Sequence, residues 1–197
     1  MPDSPLPPDL LLGAYAQGVF PMDGPDGLRW YAPDPRAVIP LDARFHVPDS
    51  LARVVRQGRF RVTTDVDFEG TMRACGAREE TWISEPLVAA YTALHRAGHA
   101  HSVECWTGDG VFAGGLYGVA LGGAFFGESM VSHVRDASKV ALVHLVERLR
   151  AGGFVLLDTQ FTTPHLARFG AVEIRRAAYQ RRLAAALRID ARWEGMG

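Results

Sequence analysis

The sequence predicts a mixed α+β fold, on three observations. The run from Ala100 to Ser129 alternates apolar stretches with Gly-rich turns, the pattern of consecutive antiparallel strands. A helix signal over Ala137–Ala151 leads through Gly152-Gly153 into an apolar strand at Phe154–Leu157, a strand–helix–strand unit. The chain, at 197 residues, is long enough for one sizeable domain with a small appendage.

Along the chain, Asp9 caps a short helix through Tyr15, with Gly18 as its stop. Residues 20–36 are Pro-punctuated and aromatic, a folded loop or small subdomain that ends at a boundary near residue 36. A helix follows from Asp49 to Gln57, then a strand over Phe60–Thr64. Another helix starts after Ser84, with Leu87, Val88, Tyr91 and Leu94 at helical spacing and Gly98 past its end. Ala100–Trp106 is a strand, Gly108-Asp109-Gly110 a hairpin turn, and Gly122-Gly123 a second turn before Ala124–Ser129. Beyond the strand–helix–strand unit, Thr163 and Pro164 open a short helix that stops at Gly170, and a basic helix runs from Arg176 to about Leu187.

Composition narrows the function classes. The formal net charge is −1, so no global basic field marks a nucleic-acid partner. Its distribution is uneven: residues 1–134 carry 10 basic and 16 acidic side chains, residues 135–197 carry 11 and 6. Two cysteines are too few for a disulfide scaffold or a thiolate zinc cage. The start lacks the pattern of a signal peptide, and the uncharged stretch Val111–Gly127 holds six glycines in 17 residues, short of a membrane helix. A soluble cytoplasmic protein is expected.

Several chemistries are weighed and set aside. His95, His99 and His101 lack an acidic or Cys companion at a metal-binding spacing, so no metal is expected. Gly108-x-Gly110-x-x-Ala113 joins two strands and opens no helix, unlike a dinucleotide loop. Gly127-Glu-Ser129-Met-Val131 begins like a nucleophile elbow but ends in Val. More informative are two polar clusters at the ends of apolar strands, Glu128-Ser129 and Asp158-Thr-Gln160. Glu128 and Asp158 read as cleft carboxylates, with Gln160 as neutral donor and acceptor, or as solvent-touching strand-end caps. Trp82 reads as a base-stacking platform or as ordinary core.

In order, the segments Tyr15-Ala-Gln-Gly-Val-Phe-Pro-Met22, Trp30-Tyr-Ala-Pro-Asp-Pro-Arg36, Thr81-Trp-Ile83, His99-Ala-His-Ser-Val-Glu104, Gly114-Gly-Leu-Tyr-Gly-Val119, Phe126-Gly-Glu-Ser-Met130, Asp136-Ala-Ser-Lys139 and Leu157-Asp-Thr-Gln160 resemble the leucyl/phenylalanyl-tRNA–protein transferase family over about residues 10–180. The resemblance implies a small N-terminal domain at 1–35 and, at 36–197, a catalytic domain similar to the GCN5-related N-acetyltransferase (GNAT) fold. It implies transfer of Leu or Phe, less often Met, from aminoacyl-tRNA to acceptor proteins beginning with Lys or Arg, which marks them for N-end-rule degradation. Implied catalytic residues are Asp158, Gln160 and Glu128. The aminoacyl pocket falls on Leu116, Phe125, Met130, Leu142, Leu145, Leu149 and Leu157, with Trp82 near the terminal adenosine. Arg53, Arg56, Arg59 and Arg61 are expected to meet the tRNA body. No cofactor, no metal and no membrane are implied, and a monomer is expected. Two other readings share parts of this pattern: an acetyl-CoA-dependent N-acetyltransferase on the same fold, and a module that binds aminoacyl-tRNA without reacting.

Overall fold

A computed structural model describes residues 6–193; the first five and last four residues of the two expected domains lie outside the described residues. In chain order the elements are α1 (Pro8–Tyr15), β1 (Phe20–Met22), β2 (Arg29–Tyr31), β3 (Arg36–Ile39), α2 (Asp49–Arg56), β4 (Arg61–Thr64), α3 (Phe68–Gly76) and α4 (Glu85–Arg96). There follow β5 (Ala100–Trp106), β6 (Phe112–Leu121), β7 (Ala124–Ser132), α5 (Ala137–Ala151), β8 (Leu156–Gln160), α6 (Pro164–Ala167), β9 (Val172–Ile174) and α7 (Arg176–Ala186).

Seven strands form one sheet in the order β4-β5-β6-β7-β8-β3-β9, and β1 with β2 forms a separate hairpin. The expected mixed architecture, a large sheet with helices on both faces, is present. Side-chain alternation divides the apolar residues between two cores. Phe126 faces a core shared with α1, α3, α4 and α7, whereas the neighbouring Phe125 faces one built on α2, α5 and α6. Nine residues of α5 are buried, so this helix is apolar around most of its circumference and sits deep against the sheet.

All pairings in the large sheet are antiparallel except β7 with β8, which are parallel and joined by the α5 crossover. Their pairing stops at Phe126 opposite Asp158. Beyond that point β7 continues along β6, β8 continues along β3, and a wedge opens between them. A bulge sharpens the divergence. Gly118 pairs with Gly127 and Tyr117 with Ser129, which leaves Glu128 as the extra residue. Gly118 is required opposite it: a Cβ there would lie 2.3 Å from the Phe126 carbonyl oxygen and 2.4 Å from the Phe125 ring.

Several expectations are corrected. Asp9 lies in the first turn of α1 rather than at its cap, which is Pro7, because the paired prolines already set the helical start. The irregular stretch at 20–36 contains β1 and β2, three residues each, too short to show a strand alternation, and β2 is fully exposed. Two elements pass unannounced, α3 and the short edge strand β9. Phe154 precedes β8 instead of opening it, and Asp158-Thr-Gln160 belongs to the strand itself. The polar residues are thereby carried into the sheet, not left at its rim.

Candidate functional site

The wedge holds a cavity of about 330 Å³, within the range of small-ligand sites. Its apolar side is Leu116 on β6, Met130 on β7, Leu142 and Leu145 on α5, Leu157 on β8 and Leu166 on α6. Its polar side is Tyr117, Glu128, Thr159, Gln160 and His165, and Trp82, Arg78 and Phe161 complete the lining.

Behind this wall lies a closed knot. Arg36, 1% exposed, donates from Nε to both Asp158 oxygens (2.9 and 3.1 Å) and from a terminal nitrogen to Oδ2 (2.7 Å). The Tyr179 hydroxyl donates to the same Oδ2 at 2.6 Å, and the Gln160 backbone N–H to Oδ1 at 2.9 Å. Arg36 also donates to the Gly18 carbonyl and lies between the rings of Phe20 and Tyr179. Both charges are thus compensated in a fully buried pair. Asp158 is absent from the cavity wall. It acts there through Gln160, whose backbone it holds at φ 59°, a left-handed conformation that non-glycine residues seldom adopt.

Glu128 is the opposite case. The bulge turns its carboxyl toward the cavity, where Oε2 accepts weakly from the Tyr91 hydroxyl at 3.4 Å. Tyr91 is in turn bonded to Tyr15 at 2.5 Å. Oε1 is buried without any hydrogen-bond partner in the protein. Burial pushes the Glu128 carboxyl up to about 8, with the Asp158 charge adding to the rise and the Tyr15, Arg36 and Tyr91 groups opposing it. Tyr117 Oη, Thr159 Oγ1, Gln160 Nε2 and His165 Nε2 are likewise buried and unpartnered, and all belong to lining residues. Buried polar atoms are ordinarily paired. Five orphans converging on one cavity mark a place where a polar ligand completes the hydrogen bonds.

Of the expected site residues, Glu128, Gln160, Trp82, Leu116, Met130, Leu142, Leu145 and Leu157 meet at this cavity. Phe125 and Leu149 do not. Phe125 stacks on Trp193 and packs in the core, and Leu149 lies two turns beyond Leu142 along α5, past the reach of the wedge. Arg53, Arg56, Arg59 and Arg61 are exposed on α2, the following turn and β4, at the opposite edge of the sheet from β9. Sequence reading missed Arg36, Tyr91, Tyr15, Tyr179 and His165. Arg36 had a legible signal: a lone charge directly before the apolar Ala37-Val38-Ile39 needs a buried partner.

The histidines also differ from expectation. Asp65, supplied by the turn after β4, reaches His95 and His101, with candidate ligand atoms within 4.8 Å of one another. Asp65 accepts from His101 Nδ1, Ser102 N–H and the Trp193 indole at 2.8–2.9 Å, and His95 Nδ1 contacts the Ala100 carbonyl, so the cluster already closes on itself.

Fold and cavity together define a class: a mixed-sheet protein with a ligand cavity at a splayed parallel strand pair. The profile of the family described as leucyl/phenylalanyl-tRNA protein transferase matches residues 38–184, and that of the family's N-terminal domain matches residues 4–34. Curated proteins named leucyl/phenylalanyl-tRNA–protein transferase are 60% identical over 94% of this chain and 97% of the Herpetosiphon aurantiacus protein. For Rubrobacter xylanophilus the values are 61%, 94% and 97%, and for Salinibacter ruber 56%, 98% and 85%. The chain belongs to the leucyl/phenylalanyl-tRNA–protein transferase family. Among solved structures, L-PGS from Bacillus licheniformis overlaps with a TM-score of 0.48 at 10% identity, covering 81% of this chain and 66% of that one. A tandem GNAT protein from the clavulanic acid pathway gives 0.40 at 13% identity, over 88% of this chain and 61% of that chain. No helix among the described residues is long and apolar enough to cross a membrane.

Proposed function

We propose that this chain transfers Leu or Phe, less often Met, from aminoacyl-tRNA to acceptor proteins beginning with Lys or Arg, in the cytoplasm, and so marks them for N-end-rule degradation. The observation that carries the proposal is the cavity itself, an apolar pocket joined to five unpartnered polar atoms. The apolar side takes the aminoacyl side chain. An apolar slot separates neighbours by only about 1–3 kcal/mol per methylene, which suits tolerance among bulky apolar residues.

An aminoacyl ester is already activated, so the reaction needs position and proton removal, not a protein nucleophile, metal or cofactor. The α-ammonium of the acceptor loses a proton to the Glu128 carboxylate. The free amine attacks the ester carbonyl, the C–N bond forms, and the C–O bond to the ribose breaks, with a proton going to the departing hydroxyl. A base with a pKa near that of an α-amine, about 7.7–8, is matched to this transfer. The Gln160 Nε2 donates to the carbonyl oxygen as negative charge grows there. Asp158 is a positioning residue in this scheme, since its oxygens are already occupied. Trp82 stacks the terminal adenosine, and Arg53, Arg56, Arg59 and Arg61 meet the tRNA body. A division of the chain near residue 36 into two domains is part of the same reading, supported by the two family profiles meeting there.

The acetyl-CoA alternative is disfavoured by Asp136, which sets a carboxylate at the N-terminus of α5, where a pyrophosphate would have to bind. The test is transfer of labelled Leu or Phe from charged tRNA to a peptide beginning with Arg, against one beginning with Gly. Product with the first alone supports the proposal; product with neither, from folded protein, refutes it.

A further inference from the structure

The cavity mouth is electrically two-sided. On one side, burial and the fields of Lys139 and Arg168 hold the His165 pKa below the ordinary range, although Lys139 is itself paired with Asp136 at 2.8 Å. On the other side, the turn after α3 carries Glu79 and Glu80 between two lining residues, Arg78 and Trp82. Asp23, at the end of β1, donates its backbone N–H to the Trp82 carbonyl at 3.3 Å and so lies beside the same rim. None of these three acids has an ion-pair partner among the described residues, and Arg78, the base of that turn, is bonded to Ser129 at 3.0 Å. Aromatic surface runs outward from the same side. Phe161 on the cavity wall meets the buried Phe20 edge-on, and Phe20 stacks on the exposed Tyr31, whereas Trp30 points to the other face of β2 and lies against α1 with Leu10, Gly13 and Gln17.

Resting on the transfer reaction proposed above, the geometry points to this acidic, aromatic ledge as the docking surface for the acceptor polypeptide, with Asp23, Glu79 and Glu80 holding the cationic side chain of its first residue and Phe161 and Tyr31 supporting the chain behind it. Charge decides between the two substrates. Residues 6–34 carry four acids and one Arg; Arg29 pairs with Asp26 and Asp34 with Arg176, and the remaining Asp9 and Asp23 repel a phosphate backbone and attract a Lys or Arg terminus. Exposed aromatic faces add cation–π contact with the same side chain. The ledge is continuous with a cavity whose Gln160 and Tyr117, both at least nine-tenths buried, present unpartnered polar atoms. A chain lying on the ledge therefore enters with its α-amine leading.

The experiment compares wild type with the triple variant Asp23→Asn/Glu79→Gln/Glu80→Gln. In initial-rate transfer assays, the KM for an Arg-initiated peptide is expected to rise about tenfold, with kcat and the KM for charged tRNA unchanged. An unchanged peptide KM, or a shift in the tRNA KM instead, overturns the inference while transfer by wild type still upholds the reaction. Binding of the labelled peptides alone, read by fluorescence polarisation, tests the ledge without turnover. Wild type is expected to prefer Arg-initiated over Gly-initiated peptide, and the triple variant to lose that preference; equal binding of both peptides by wild type also overturns it.

Discussion

Two carboxylates, Asp158 fully buried and Glu128 half-buried, lie on either side of one cavity wall and meet opposite fates. Asp158 pairs with Val38 beside a register shift of its own and is saturated by Arg36, Tyr179 and the Gln160 backbone. Glu128 sits on a bulge, bonded only at the edge of hydrogen-bonding distance and with one oxygen empty. Burial disfavours a charge in either place, and neighbouring donors decide the outcome. A satisfied carboxylate becomes scaffold; an unsatisfied one remains available to a substrate proton.

The largest expected effect breaks the scaffold side. Asp158→Ala leaves the Arg36 guanidinium buried and unpaired, which costs about 3–5 kcal/mol, measured by urea unfolding. Asp158→Asn retains part of the hydrogen bonding and should lose less. Equal stability of wild type and Asp158→Ala would remove the distinction drawn between the two carboxylates.

Glu128→Gln should do the reverse. Transfer falls by about 10²–10⁴-fold, the range for a lost general base, with thermal stability kept or raised. A full-rate Glu128→Gln enzyme moves the base elsewhere.

Acidity sharpens the same contrast. The folded protein holds the Glu128 proton up to about 8, against 4.5 for the free side chain, so the folded state binds more protons between those values. Stability from this group is therefore fully present below about 4.5 and declines as pH rises toward 8, while kcat/KM climbs over the upper part of that window as the base form appears. Both slopes should flatten in Glu128→Gln. Tyr91→Phe, a smaller change, removes a donor that favours the carboxylate and moves the midpoint of the rate profile upward.

The smallest effect concerns the apolar side. Leu142→Phe narrows the pocket and should shift the ratio of Phe to Leu transfer, by about 10–200-fold at most. An unchanged ratio would place the aminoacyl side chain elsewhere.

Much of the fold was legible. Helical spacing over 137–151 and the glycine-turned strands at 100–129 depend on local periodicity, which survives folding unchanged. The hairpin β1–β2 was not, because three-residue strands, one largely buried and one fully exposed, carry no alternation to read. At the site, the motif resemblance named Glu128 and Gln160, and the cavity contains both. It could not separate them from Phe125 and Leu149, which are as apolar as the true lining residues and differ only in where β7 and α5 carry them.

The sequence by itself determined the class of fold, the family and the residue types gathered near the strand ends, since these follow from local pattern and motif order. Only the tertiary structure decided which carboxylate is free. That outcome rests on Arg36, 122 residues away from Asp158 in the chain, and on a one-residue bulge opposite Gly118. Neither a long-range charge partner nor the register of a strand is written in local sequence, because both depend on what the fold brings alongside.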